Sequence, residues 1–513
     1  MNRFLLFSLL VLGTDALLRS PSLLRRKIFD NDAATADPYP QVQTLWFDQI
    51  VDHNDMTSNA TWKQKYYYNP TFSKKNDIVF LMIGGEGPES KKWTGKEDIP
   101  YLTWAKELGA DVFDLEHRFF GDSYPTKDMS TQSLRLLTIE QALADLAYFI
   151  EAMNIKMGYK KPQWVTFGGS YPGALSAWFR QKYPTHTVGA VASSAPINLK
   201  LDFFEYAMVV SDDLMITDPV CAKATRDAYT LIQQLTLTAA GRNTLNKELK
   251  LSPPFAANVT KLDINNLFGN LFNVFQGMTQ YTYDGQRNAT INQETDRMLC
   301  QFMTGNGTLL NRIYKLNTFF DALEGATDDS FQNSYSASII PVSTGNLTLL
   351  GPDLGAARGW MWLCCNQVGY MQTTDQGDNI FGSTVPLNLF INMCVDMFGT
   401  DMRHLFDGNT KTQNYFGGAD YYTATNIILP NGSLDPWHAL GFYGNVSATT
   451  SWLLINGTAH CSDMYPPYNG EPAALPAARA TIKNAVFSFI TPVKSASFSL
   501  VSCSILLVLL FNY

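Results

Sequence analysis

Residues 165–179 read VTFGGSYPGALSAWF. The β-branched and aromatic run from Trp164 to Phe167 predicts a strand. It enters the turn GGSYPG at 168–173, and a helix is expected from Ala174 to Tyr183. A serine on a tight turn between strand and helix is the setting of a nucleophile elbow. Small residues are needed where backbone passes close to backbone, and Gly168, Gly169 and Gly173 supply them. The helix points its N-terminus at Ser170, where its dipole favours negative charge. The Tyr171 N–H then lies where an oxyanion would form. The spacing departs from the common G-x-S-x-G, because Pro172 comes second after the serine and Gly173 third.

Outward from this stretch the same alternation recurs. Ile78 to Ile83 (IVFLMI) is a continuous apolar run, as expected of a strand covered on both faces. Asp111 to Glu116 and Val188 to Ala192 read as further strands. Thr138 and Gln141 have capping-box spacing at the head of a helix whose apolar face holds Leu143, Leu146, Ala147 and Ile150. Residues 40–200 therefore predict an α/β domain with a mostly parallel sheet. From 201 to 385 polar helical stretches dominate, such as DAYTLIQQLTLTAAGRNTLNKEL, and suggest an inserted, mostly helical domain. Strand-like runs return at Asn426 to Leu429 and Trp452 to Ile455, so 386–490 is expected to complete the α/β domain.

The serine needs a base and an acid, which in this architecture follow it in the order acid, then histidine. That removes His53 and His117, and His186 leaves no room for an acid. His404 follows no clear strand, and His438 is the weaker candidate. His460 follows the strand WLLI and a Gly-Thr-Ala turn. Asp435 follows a strand and turn in IILPNGSLDPWHALG, 25 residues earlier, and would hold the imidazole in the right tautomer. Asp463 reads as a loop-capping carboxylate. The second oxyanion donor is expected from LMIGGEGPES at 81–90, from Gly85 or a neighbour. Glu86 would sit nearby, either binding a substrate amine or pairing with Arg118.

Composition bounds the rest. The chain has 513 residues, 38 Lys and Arg, 46 Asp and Glu, and a net charge of −8. With 16 % charged and 13 % aromatic residues it is not a disordered chain, and it lacks the basic excess of a nucleic-acid binder. Residues 1–16, MNRFLLFSLLVLGTDA, read as a signal peptide. Residues 498–513 form a short hydrophobic tail, either a membrane anchor or a segment of other role. Of eight N-x-S/T sequons, Asn59, Asn258, Asn288, Asn306, Asn346 and Asn445 are expected to carry glycans. Asn431 and Asn456 are set aside as too near the catalytic loops. Seven cysteines without C-x-x-C spacing suggest no zinc site, and in an oxidising compartment up to three disulfides. No metal or cofactor is expected.

Taken together, GGEGP (84–88), EHRFFGDSYP (116–125), GGSYPGALSAWFRQKYP (168–184), GAVASSAP (189–196), NGSLDPWHALG (431–441) and GTAHCSDMYP (457–466) resemble the S28 serine peptidases. The last two blocks most resemble the thymus-specific serine protease branch of that family. The resemblance implies an α/β-hydrolase fold with an inserted, mostly helical SKS-type domain. It implies Ser170 as nucleophile, Asp435 as acid, His460 as base and Trp437 in the substrate pocket. Better-known members cleave after proline near a chain end. Where the Pro-X carboxypeptidase-like members carry Gly, this chain has Pro172.

The expected function is a serine exopeptidase of dipeptidyl-peptidase or carboxypeptidase type, acting on peptides through an acyl-enzyme. It would be secreted or lysosomal, with a homodimer and tail anchoring left open. The alternatives are an esterase or lipase on the same fold, and a catalytically silent binding protein.

Overall fold

The computed structural model describes residues 37–282, 294–323, 330–399, 401–444 and 447–490. The expected leader and tail, with Asn288 and Asn445, lie outside the described residues. Eight strands form the main sheet: β1 (Gln43–Ile50), β2 (Thr61–Asn69), β3 (Ile78–Ile83), β4 (Asp111–Leu115), β5 (Gln163–Gly169), β6 (Gly189–Ser193) and, far along the chain, β9 (Ile427–Gly432) and β10 (Thr450–Ile455). A short parallel pair, β7 (Leu251–Ser252) and β8 (Phe331–Gln332), lies between them in sequence. The order is β1-β2-β4-β3-β5-β6-β9-β10. β1 and β2 pair antiparallel, as do β2 and β4, and the other neighbours are parallel.

Residues of β3 alternate between two cores, as a pleated strand requires. Val79, Leu81 and Ile83 pack with the helices α2 (Ile139–Met157) and α3 (Tyr171–Lys182). Phe80 and Met82 pack with α1 (Pro100–Leu108) and, from near the end of the described chain, Ala474–Ile490. Both faces are thus covered, which is why these strands read as unbroken apolar runs. Thr138 caps α2 as its spacing suggests, accepting from the Gln141 N–H at 3.2 Å. β1 and β2 escape a reading by apolar runs, because β1 is largely exposed or half-buried and β2 interleaves Lys and Gln with tyrosine.

The chain leaves β3 for β4 on one side and returns to β5 on the other. The loops after β3 and β5 therefore diverge at the carboxyl ends of adjacent strands and open a crevice there, where open α/β sheets bind their ligands. Ser170 follows the last residue of β5.

Between β6 and β9 the described elements are helices apart from the short β7–β8 pair, among them Glu205–Thr217, Pro219–Thr236, α4 (Lys261–Gln280) and Leu347–Leu363. Helices also occupy the span past residue 385, as Leu387–Phe398 and Met402–Phe416, and the sheet resumes at Ile427. Two disulfides lie in this region, Cys221–Cys300 and Cys365–Cys394. Cys364 and Cys461 are buried free thiols, so only two of the three bridges that the cysteine count permits are present among the described residues. Among these residues no helix is long and apolar enough to cross a membrane.

Candidate active site

Ser170 takes φ 66° and ψ −132°, a strained conformation for a residue with a side chain. Its N–H donates to the Ser193 carbonyl at 2.9 Å, which ties the turn to β6. Helix α3 starts at the next residue, so the Tyr171 N–H is one of the first-turn donors that a helix leaves without an internal partner. The glycines around the turn are needed for space. A Cβ on Gly169 would lie 2.3 Å from Met464 Sδ, and one on Gly85 would lie 2.4 Å from Pro172 Cγ. Pro172 thus packs directly onto the loop after β3, and the unusual elbow spacing has a physical reason.

Asp435 and His460 are both buried and meet, with His460 Nδ1 2.8 Å from Asp435 Oδ2. With Nδ1–H donated to the carboxylate, Nε2 is the basic nitrogen. Asp435 Oδ1 also accepts the Trp437 N–H at 3.0 Å. Burial disfavours the imidazolium, but the neighbouring carboxylate outweighs it and raises the His460 pKa above its ordinary value. The His460 loop is clamped on several sides. The His460 N–H donates to the Gln280 carbonyl at 3.0 Å, and the Cys461 N–H donates to Ser194 Oγ at 2.9 Å. Asp463 accepts from the Ser193 hydroxyl at 2.6 Å, which ties its loop to β6. Burial pushes the Asp463 carboxyl up to about 6, against the pull of that hydrogen bond. Arg479 donates to the Ser462 and Tyr465 carbonyls and pairs with Glu471 at 2.6 Å.

Ser170, Glu86 and Trp437 line one cavity at the crevice. The Trp437 ring lies 6.3 Å from the His460 ring, which brings the acid–base pair beside that cavity. Two expectations are corrected. Arg118 pairs with Asp145, donating from Nε at 2.7 Å and Nη2 at 2.5 Å, and not with Glu86. The Asp145 side chain comes from α2, a helix too distant in sequence for the pairing to show there. The Gly85 N–H donates to Glu89 Oε1 at 3.1 Å, so it is committed to its own loop rather than aimed at an oxyanion.

His117, set aside as a base, supports the elbow instead, with Nε2 3.1 Å from the Tyr171 hydroxyl. Burial pushes it down to about 4, so it is neutral at physiological pH. A reading by strand order had no means of finding Gln280. Its side-chain oxygen accepts from Trp437 Nε1 at 3.1 Å and from the Tyr206 hydroxyl at 2.7 Å. Of the sequons, Asn59, Asn258, Asn306, Asn346 and Asn456 are exposed, while Asn431 is buried. Asn456 is therefore open to modification as far as burial decides.

A serine forced to positive φ after a central parallel strand, with its acid and histidine after the last two strands, is the plan of an α/β-hydrolase. In this chain helices are inserted between nucleophile and acid. Within that class the chain belongs to the serine carboxypeptidase S28 family, whose model matches residues 49–482, and is a serine-type peptidase. It is 60 % identical over 475 residues to a Caenorhabditis elegans protein named as a serine protease, covering 91 % of this chain and 88 % of that one. It is 29 % identical to human thymus-specific serine protease, covering 85 % of this chain and 84 % of the relative. Mouse lysosomal Pro-X carboxypeptidase is 28 % identical, with 90 % of this chain and 92 % of the relative covered.

Proposed function

We propose that this peptidase is an exopeptidase that releases short fragments from the free N-terminus of peptides. Ser170 attacks the scissile carbonyl while His460 Nε2 takes its proton, and Asp435 stabilises the imidazolium. The tetrahedral oxyanion is met by the Tyr171 N–H and by a neighbour of Gly85 in the loop after β3. His460 then protonates the leaving amine, and water hydrolyses the acyl-enzyme on Ser170. Trp437 forms part of the substrate wall, and aromatic faces of this kind suit a proline ring.

One observation carries the choice of chain end. Among the described residues that line the cavity, Glu86 carries the only charged side chain. A carboxylate attracts an α-ammonium group and repels an α-carboxylate, which favours the dipeptidyl-peptidase mode over the carboxypeptidase mode. The carboxypeptidase mode is the one named in the family description and in the Pro-X relatives. Mass spectrometry of digests made with free, N-acetylated and C-amidated peptides separates the two. Acetylation is expected to abolish cleavage and amidation to leave it intact, and the reverse pattern refutes the reading. Glu86→Gln is expected to raise KM for free-amine peptides by about 10- to 100-fold, the range of a charge-assisted contact. The leader and the sequons support a route through the secretory pathway, to the lysosome or the outside. Ester substrates tested in parallel distinguish the esterase alternative, and a fluorophosphonate probe that fails to label Ser170 would revive the silent binding protein.

A further inference from the structure

Helix α4 presents a row of side-chain amides to the substrate cavity. Asn266, Asn270, Asn273, Gln276 and Gln280 succeed one another at spacings of three and four, which keeps them on one helix face. All five line the same cavity as Ser170. Four of them are at most 3 % exposed, an unusual concentration of buried carboxamides.

The two ends of the row differ. At the catalytic end the amides are engaged: Gln280 holds Trp437 and Tyr206, and Gln276 donates to Gln372, another lining residue. At the far end Asn266 is 2 % exposed and lines the cavity, and its buried Nδ2 has no hydrogen-bond partner among the described residues. Buried polar groups in folded proteins are normally paired, so a donor left over on a cavity wall points to a ligand that accepts from it.

Direction and length follow from the helix. Gln280 accepts the His460 N–H through its main-chain carbonyl, so the row begins beside the residue that protonates the leaving amine. Fourteen residues at 1.5 Å rise put Asn266 about 21 Å further along. An extended peptide covers that distance in about six residues.

We propose that the amide face of α4 is an extended subsite for the main chain of the leaving peptide, reaching about six residues beyond the scissile bond. The proposal rests on the peptidase reading above. A carboxamide both donates and accepts, so it can pair with the N–H and C=O groups of an extended chain whatever its side chains. Being uncharged, the row selects for length of backbone rather than for sequence.

The test is a series of free-amine peptides sharing one N-terminal segment, with leaving segments of one, two, four, six and eight glycines or alanines. kcat/KM is expected to rise at least tenfold from one to six leaving residues and then level off. Replacing the leaving glycines by N-methylglycine, which removes the N–H and adds no side chain, should erase most of the gain. In Asn266→Leu/Asn270→Leu the ratio of kcat/KM for six over one leaving residue should fall towards one. Asn273→Ala, at a half-buried position, should lower the same ratio and does not depend on refilling a buried site. Fluorophosphonate titration of Ser170 normalises each variant to its folded, active fraction. A flat length profile in the wild type, or equal losses at all lengths in the variants, overturns the proposal while leaving the peptidase reading intact. No cleavage at any length, with Ser170 still labelled by the probe, overturns both.

Discussion

Ser170 holds a conformation that a side chain resists, and nearby contacts maintain it. Its N–H is tied to Ser193, Gly169 admits Met464, and Pro172 rests on Gly85. Such strain presents the hydroxyl at the top of the sheet, and helix α3 supplies donors at the same point. Ser170→Ala should lower kcat by about 10⁶-fold, the scale seen when a serine hydrolase loses its nucleophile. Steady-state kinetics on a cleavable peptide measure this, and retention of most activity would falsify the assignment. Local sequence was a good guide to this residue, because strand, turn and helix are all set within fifteen positions. It was a poor guide to Gly85 and Arg118. The donor orientation of one N–H, and the choice among carboxylates for one guanidinium, depend on side chains packed from other elements.

At the scale of elements, the link between α4 and the His460 loop is the least expected feature. Gln280 ends the helix with its carbonyl on the His460 N–H and its side chain on Trp437 and Tyr206. Tyr281 follows, with its ring 5.9 Å from the imidazole. The inserted helices therefore position His460, the proposed base, as well as wall the cavity. Gln280→Ala should lower kcat about 10- to 100-fold, with a smaller change in KM, because small displacements of a catalytic group are costly. Stopped-flow labelling by a fluorophosphonate should slow in parallel, whereas an unchanged kcat would show that the helix only encloses the site. The five amides stand in plain view in NNLFGNLFNVFQGMTQ at 265–280. Their spacing is legible there, but which way that helix face turns is decided by packing.

For the whole molecule, buried carboxyl groups set the response to pH. Burial, reinforced by Asp296, pushes Asp213 up to about 9, and burial pushes Asp463 up to about 6. Asp114 is raised as well, by burial and by the nearby Glu89. Between the unfolded value near 4 and these folded values, the native state holds protons that the unfolded chain has released. Stability therefore falls as pH rises through that window and is greatest on the acid side. Melting temperatures are expected to drop steadily from pH 5 to pH 8.5. Asp213→Asn should flatten this slope and raise the melting temperature at pH 8.5, and a slope of opposite sign would refute the account.

The sequence by itself determined the order of strands and helices around the serine, the pairing of Asp435 with His460 after the last two strands, and the membership of the S28 family. Those features are local, being carried by apolar runs, glycine turns and motifs a few residues long. Only the tertiary structure decided which carboxylate meets Arg118, where the Gly85 N–H points, and that Glu86 reaches the same cavity as Ser170. It alone brought the amide face of α4 to the cavity that Ser170 lines. These are contacts between residues tens to hundreds of positions apart, and they exist only once the sheet has closed and the inserted helices have packed over it.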